Sequence, residues 1–151
     1  MIEHNISILI PSWNGEKYIE SCLNSLLKNE YPKFKIISIV GGTDKAFEIS
    51  LEYQKKYPNK IIALQRKKGK KNEALNIGLK ETDGDIIIIT DVDCIYRPNW
   101  LKRINEIFQD NKINLITSFG MPYLENESSF AEYNKIRVGA GLLKFENGQV
   151  V

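Results

Sequence analysis

Two aspartates one residue apart, Asp91 and Asp93, follow directly on the most apolar run of the sequence, residues 86–89, all isoleucine, and Thr90. Two like charges at one strand end are costly unless something neutralises them. A divalent cation does so, and hard carboxylate oxygens suit Mg²⁺ or Mn²⁺. The competing interpretation is a strand end with two solvated acids, Asp93 capping the next turn, because Asp-x-Asp often arises by chance. Its position after an apolar strand favours the metal. Cys94 stands beside the pair, but one thiol and two carboxylates are not a usual zinc set. That thiol reads as free and partly buried.

Three further loops carry chemistry-bearing residues. Pro11-Ser12-Trp13-Asn14-Gly15 leads into a helix whose amides and dipole favour an anion. Trp13 either stacks on a nucleobase or packs between helix and sheet, the commoner fate of a tryptophan. Arg66-Lys67-Lys68-Gly69-Lys70-Lys71 is the one dense basic cluster. Opposite two acids, it suits a phosphate held between cations and a metal. Taken alone, such a run is more often a solvated turn. It is not a Walker loop, since Lys71 stands where Ser or Thr is needed. Gly41-Gly42-Thr43-Asp44 does not fit GxGxxG, and its glycines suit a tight turn or a positive φ.

These loops need a scaffold, and the apolar periodicity supplies one. Strands are expected at residues 6–11, 35–40, 60–64, 85–90 and 114–119. Helices are expected at 17–28, 44–56 and 72–81, with a fourth opened by Pro98. Asn14 is the expected cap of the first helix, and Thr43 or Asp44 of the second. The fourth helix should bury Trp100, Leu101, Ile104, Ile107 and Phe108. The strand at 85–90 should be central and covered on both faces. Residues 125–137 read as a helix and 139–151 as holding one strand. The alternation implies an α/β, Rossmann-like, mostly parallel sheet with helices on both faces. In such sheets ligands bind beyond the carboxyl ends of the strands, where all four loops lie.

Composition bounds the function. The 151 residues suit one domain, with about 5–120 as its core and 121–151 as the start of an acceptor-side region. A net charge of +2 gives no support for nucleic acid. The single histidine, His4, argues against a histidine triad or a His-rich zinc site. Two cysteines without metal spacing fit reduced thiols and a cytoplasmic setting. No run approaches the roughly 20 apolar residues of a spanning helix. Membrane association is expected only through parts outside this chain.

Four segments in one order resemble family 2 glycosyltransferases. They are residues 8–14 (ILIPSWN), residues 36–44, Gly69-Lys70 with Ala74-Leu75-Asn76-x-Gly78, and Gly84-Asp85 leading to Asp91-x-Asp93 and Pro98-x-Trp100-Leu101. The resemblance implies a GT-A fold, a nucleotide-diphosphate-sugar donor, Mn²⁺ or Mg²⁺ on its diphosphate, and inverting transfer to an unknown acceptor. It assigns Asp91 and Asp93 to the metal. It assigns Pro11, Trp13, Asn14, Gly41, Asp44, Lys70 and Asp91 to the donor. The family's acidic pair after the second strand is missing, Asp44 falling later, which opens the choice of nucleobase. No segment matches its catalytic base, so Glu125, Glu127, Glu132 and Glu146 stay unassigned. A lobe that keeps the fold without the chemistry is the alternative.

Overall fold

The computed structural model describes residues 1–67 and 70–117 and, further on, two short strands. Both alternating sets of side chains are buried along β1 (Ile6–Trp13): Ile6, Ile8 and Ile10 join one core cluster and Leu9 another. Such two-sided burial requires layers above and below the strand. Parallel neighbours flank it, β2 (Phe34–Gly41) on one side and β4 (Ile86–Ile89) on the other. β3 (Ile61–Arg66) pairs with β2, giving the all-parallel order β3-β2-β1-β4.

Helices α1 (Glu16–Leu27) and α2 (Ala46–Lys56) cover the face carrying Ile8 and Ile10. α1 presents Ile19, Cys22, Leu23 and Leu26 to it, all fully buried. Each buried leucine is worth about 1.5–3 kcal/mol over leaving it exposed. α4 (Trp100–Ile107) adds fully buried Leu101 to the same cluster. Buried Asn105 of α4 accepts from the Tyr31 hydroxyl and the His4 amide, and donates to the Ile2 carbonyl. α3 (Lys71–Leu79) lies on the other face, where Ala74 and Leu75 meet Leu9, Ile37 and Ile39. The expected α/β architecture with helices on both faces is therefore present.

Several local expectations need correction. β4 is an edge strand among the described residues, and Ile87 and Ile89 are 45% and 55% exposed. Only Ile86 and Ile88 reach the α1 side, because strand side chains alternate. Residues 114–117 form no strand, and 118–119 lie outside the described residues. Ile107 is 43% exposed, at the outer side of α4. Asn14 makes no capping bond to α1, whose N-cap position is Gly15. The expected helix at 125–137 also lies outside the described residues.

The chain divides into two compact units, Met1–Ile116 and Thr117–Val151. In the second, β5 (Phe145–Glu146) and β6 (Gln149–Val150) pair antiparallel. No described helix is long and apolar enough to cross a membrane.

The two cysteines are free and differ in burial, Cys22 buried and Cys94 partly buried. Burial pushes the Cys22 thiol up to about 12, so it stays protonated at neutral pH. A thiol whose folded pKa is raised stabilises the fold below its unfolded value. That contribution fades as pH climbs from about 8.5. Native protein at pH 8 should therefore release one equivalent of chromophore rapidly from a disulfide reagent, from Cys94. The second should appear only on unfolding. Two fast equivalents would contradict the burial of Cys22.

Candidate active site at the carboxyl ends of the strands

The acid pair is held by its middle residue. Val92 packs on the core cluster while Asp91 and Asp93, on either side, stay exposed. The backbone before it is fixed by the Thr90 amide donating to the Leu9 carbonyl at 3.1 Å. Beyond it, Thr90 and Tyr96 share a hydroxyl hydrogen bond, and the Tyr96 amide donates to Ser25 Oγ at 3.1 Å. The Tyr96 ring packs on Trp100, centroids 4.2 Å apart. Burial pushes the Tyr96 phenol well above its ordinary range, so it titrates nowhere near neutral pH. The loop carrying the carboxylates is thus anchored at both ends by buried groups, with its acids facing out.

Lys71, the first residue of α3, donates its Nζ to Asp91 Oδ1. Both side chains are about half exposed. A lysine is locally disfavoured there, because the helix start carries positive dipole charge. Lys70 sits just before it as N-cap, exposed and extended. The basic segment therefore reaches the first of the two acids through Lys71, 20 residues away in sequence. Lys68 and Gly69 lie outside the described residues.

A second row runs across three strands. Trp13 registers with Gly41, and Gly41 with Arg66. The parity of the neighbouring side chains puts all three on the α3 face. Gly41 has no Cβ, so Trp13 and Arg66 meet above it; a Cβ there would lie 2.6 Å from the indole. The Arg66 guanidinium carbon is 5.2 Å from the centroid of the Trp13 ring, a cation–π stack. Arg66 is 8% exposed and donates from Nη1 to the Lys70 carbonyl at 2.8 Å. It therefore belongs to the strand and fixes the entry to α3; it is not part of a solvated basic turn. Trp13 remains 49% exposed, so it is not the indole sandwiched between helix and sheet that tryptophan usually becomes.

The β1 and β2 loops lock onto one another. Asn14 has φ +52°, which asparagine tolerates better than most residues, and its Oδ1 accepts the Thr43 amide at 2.8 Å. Gly42 has φ +117°. Asp44 accepts the Glu16 amide at 2.8 Å and the Ala46 amide at 3.2 Å, serving the starts of α1 and α2 together. Glu16 returns a bond from the Lys45 amide. The cap of α1 thus comes from 28 residues away. A cleft of about 190 Å³ opens here, lined by Gly41, Gly42, Thr43, Asp44, Phe47 and Gln65 among others. A larger cleft of about 410 Å³ lies at the amino ends of the strands, where the Lys35–Asp83 ion pair borders it. Pro11 is buried within β1 opposite Ile39, beneath the loop it precedes.

The two carboxylates are hard oxygen donors of the kind that suit a divalent cation. No group of three metal-binding side chains forms among the described residues. Mg²⁺ and Mn²⁺ commonly take only one or two carboxylates, with substrate phosphates and water completing the shell. A cation already stands at Asp91, the ammonium of Lys71.

Residues 7–145 match the profile of Glycosyl transferase family 2. The chain belongs to this family. Its relatives include the poly(ribitol-phosphate) β-N-acetylglucosaminyltransferase TarS of Staphylococcus aureus, 31% identical over 99 residues. That match takes in 64% of this chain and 17% of TarS. The solved TarS 1–349 structure in complex with UDP matches 78% of this chain and 38% of that one, at 25% identity and TM-score 0.63. The dolichyl N-acetyl-α-D-glucosaminyl phosphate 3-β-D-2,3-diacetamido-2,3-dideoxy-β-D-glucuronosyltransferase of Methanococcus voltae is 36% identical over 108 residues, 69% of this chain and 34% of its own. The mannosyltransferase PcManGT of Pyrobaculum calidifontis, solved with GDP-Man and Mn²⁺, covers 91% of this chain and 39% of its own. At 20% identity and TM-score 0.75 it shares the fold. The family 2 chain described here therefore has the GT-A fold, and spans well under half the length of these relatives.

Within the basic cluster the sequence singles out Lys70, whereas the structure gives specific contacts to Lys71, on Asp91, and to Arg66, against Trp13. A pair of lysines at a helix start, against the dipole, was the available signal for Lys71. Nothing in the sequence marks Arg66 as buried. Glu125, Glu127 and Glu132 lie outside the described residues, and Glu146 is placed in β5 by its backbone.

Proposed function

We propose that this chain is the donor-binding portion of a glycosyltransferase that moves a sugar from a nucleotide-diphosphate-sugar to an acceptor, with inversion and with Mn²⁺ or Mg²⁺. The observation that carries the reading is the ion pair between Asp91, the first of the two aspartates, and Lys71 at the start of α3. Opposite charges gathered at the carboxyl end of a parallel sheet suit a diphosphate and its counterion. TarS, a relative, has been solved with UDP.

In this reading Asp91 and Asp93 hold the cation, which when bound neutralises charge on the departing diphosphate. Lys70 donates to a phosphate oxygen. Trp13 offers its exposed face to the base, backed by Arg66, and Asn14, Gly41 and Asp44 shape the loops around it. Pro11 fixes the exit from β1. The bond between the anomeric carbon and the diphosphate breaks as an acceptor hydroxyl attacks from the opposite face, losing its proton to a general base. Charge developing on the sugar is oxocarbenium-like, as in glycoside hydrolysis.

A panel of nucleoside diphosphates with and without Mn²⁺, read by thermal shift, tests this. One base should raise the melting temperature with Mn²⁺ and much less without it. No shift at millimolar ligand with either metal would favour a lobe that keeps the fold alone.

A further inference from the structure

The Lys71–Asp91 pair asks for a reason beyond stability. An exposed ion pair contributes little, and this one puts a lysine where the helix dipole opposes it. Local conflicts of this kind collect at functional positions. Lys71 reaches the first of the two carboxylates that the proposed function assigns to the metal. An ammonium on that oxygen repels a divalent cation brought to the same carboxylate, so the two compete for it. A diphosphate arriving with the metal offers the ammonium a new anionic partner a short side-chain swing away.

We infer that Lys71 is a resident counterion of the metal site that couples metal binding to diphosphate binding. It guards Asp91 in the empty protein, weakening the hold on free metal. It transfers to the diphosphate when donor and metal enter together, so each ligand strengthens the other. Binding free energies must be reciprocal in such a coupling. This deepens the donor-binding reading and rests on it.

The test uses the whole chain and the probes Mn²⁺ and a nucleoside diphosphate. Mn²⁺ affinity is read by electron paramagnetic resonance, with and without the nucleotide selected by the thermal-shift panel. Lys71→Gln should bind Mn²⁺ alone about twofold to fivefold more tightly than the parent, the range an exposed ion pair supplies. The strengthening of Mn²⁺ binding by nucleotide should fall by about fivefold or more in that variant. Lys71→Arg, which keeps the charge, should restore weak metal binding and strong coupling together. A merely structural lysine would move the melting temperature and leave the coupling untouched.

If Mn²⁺ and nucleotide bind cooperatively but Lys71→Gln holds Mn²⁺ no more tightly than the parent, this inference fails alone. If no variant binds Mn²⁺ with or without nucleotide, the donor-binding reading fails with it.

Discussion

Gly42→Ala should destabilise the fold by about 2–5 kcal/mol and lower the melting temperature by roughly 10 °C or more. Gly42 sits at φ +117°, a conformation that an L side chain rarely adopts. A Cβ there would lie 2.1 Å from Asn14 Oδ1 and 2.7 Å from the Asn14 backbone nitrogen. The side chain can swing aside, but only by giving up its bond to the Thr43 amide. The backbone nitrogen cannot, because it donates to the Gly41 carbonyl at 3.0 Å. The strain therefore reaches both loops and, through Asn14, the approach to Trp13. Thr43→Ala is the control: it keeps the same backbone donor and is exposed, so its effect should stay within about 0.5 kcal/mol. Thermal unfolding of the two variants checks the contrast. Equal melting temperatures would mean that the turn relaxes freely and is not the lock described.

Asp91→Asn combined with Asp93→Asn should remove nearly all metal-dependent nucleotide binding while leaving the ligand-free fold intact. Both side chains are exposed, so the change itself should cost the fold little. Losing both anionic oxygens should weaken the metal–nucleotide complex by roughly a hundredfold or more. At a ligand concentration 100 times the parent's Kd, the parent gains about 2.7 kcal/mol of stability, whereas a hundredfold weaker variant gains about 0.4 kcal/mol. The thermal shift should therefore all but vanish. Restoring Asp93 alone should recover part of it. A full shift in the double variant would take the metal away from these residues.

The extent to which this architecture could be read in advance follows from how far apart the interacting residues lie. β1 and β2 were legible because Ile8, Ile10, Ile36 and Ile39 are buried and both strands are long. α1 was legible from Ile19, Cys22, Leu23 and Leu26 at helical spacing. Among the described residues β4 is at the sheet edge, with Ile87 and Ile89 open on one face, and an edge strand can carry the same letters as a central one. Its end, however, was where the chemistry was expected. The basic segment was expected opposite the two acids; which lysine reaches them, Lys71 onto Asp91, and the capping of α1 by Asp44 from another loop are tertiary details that were not. Arg66 is buried because Gly41 leaves room for it beside Trp13. No local pattern encodes those meetings, since each depends on which strands become neighbours. The acid pair, by contrast, was visible because its two charges sit next to an apolar run, a contrast within a few residues.

The most direct measurement is the anomalous scattering of manganese in a crystal of this chain grown with a nucleoside diphosphate. One strong peak is expected between the Asp91 and Asp93 carboxylates and the diphosphate, with the Lys71 ammonium moved from Asp91 onto a phosphate oxygen. Manganese bound elsewhere, with both aspartates empty beside an ordered nucleotide, would contradict that placement.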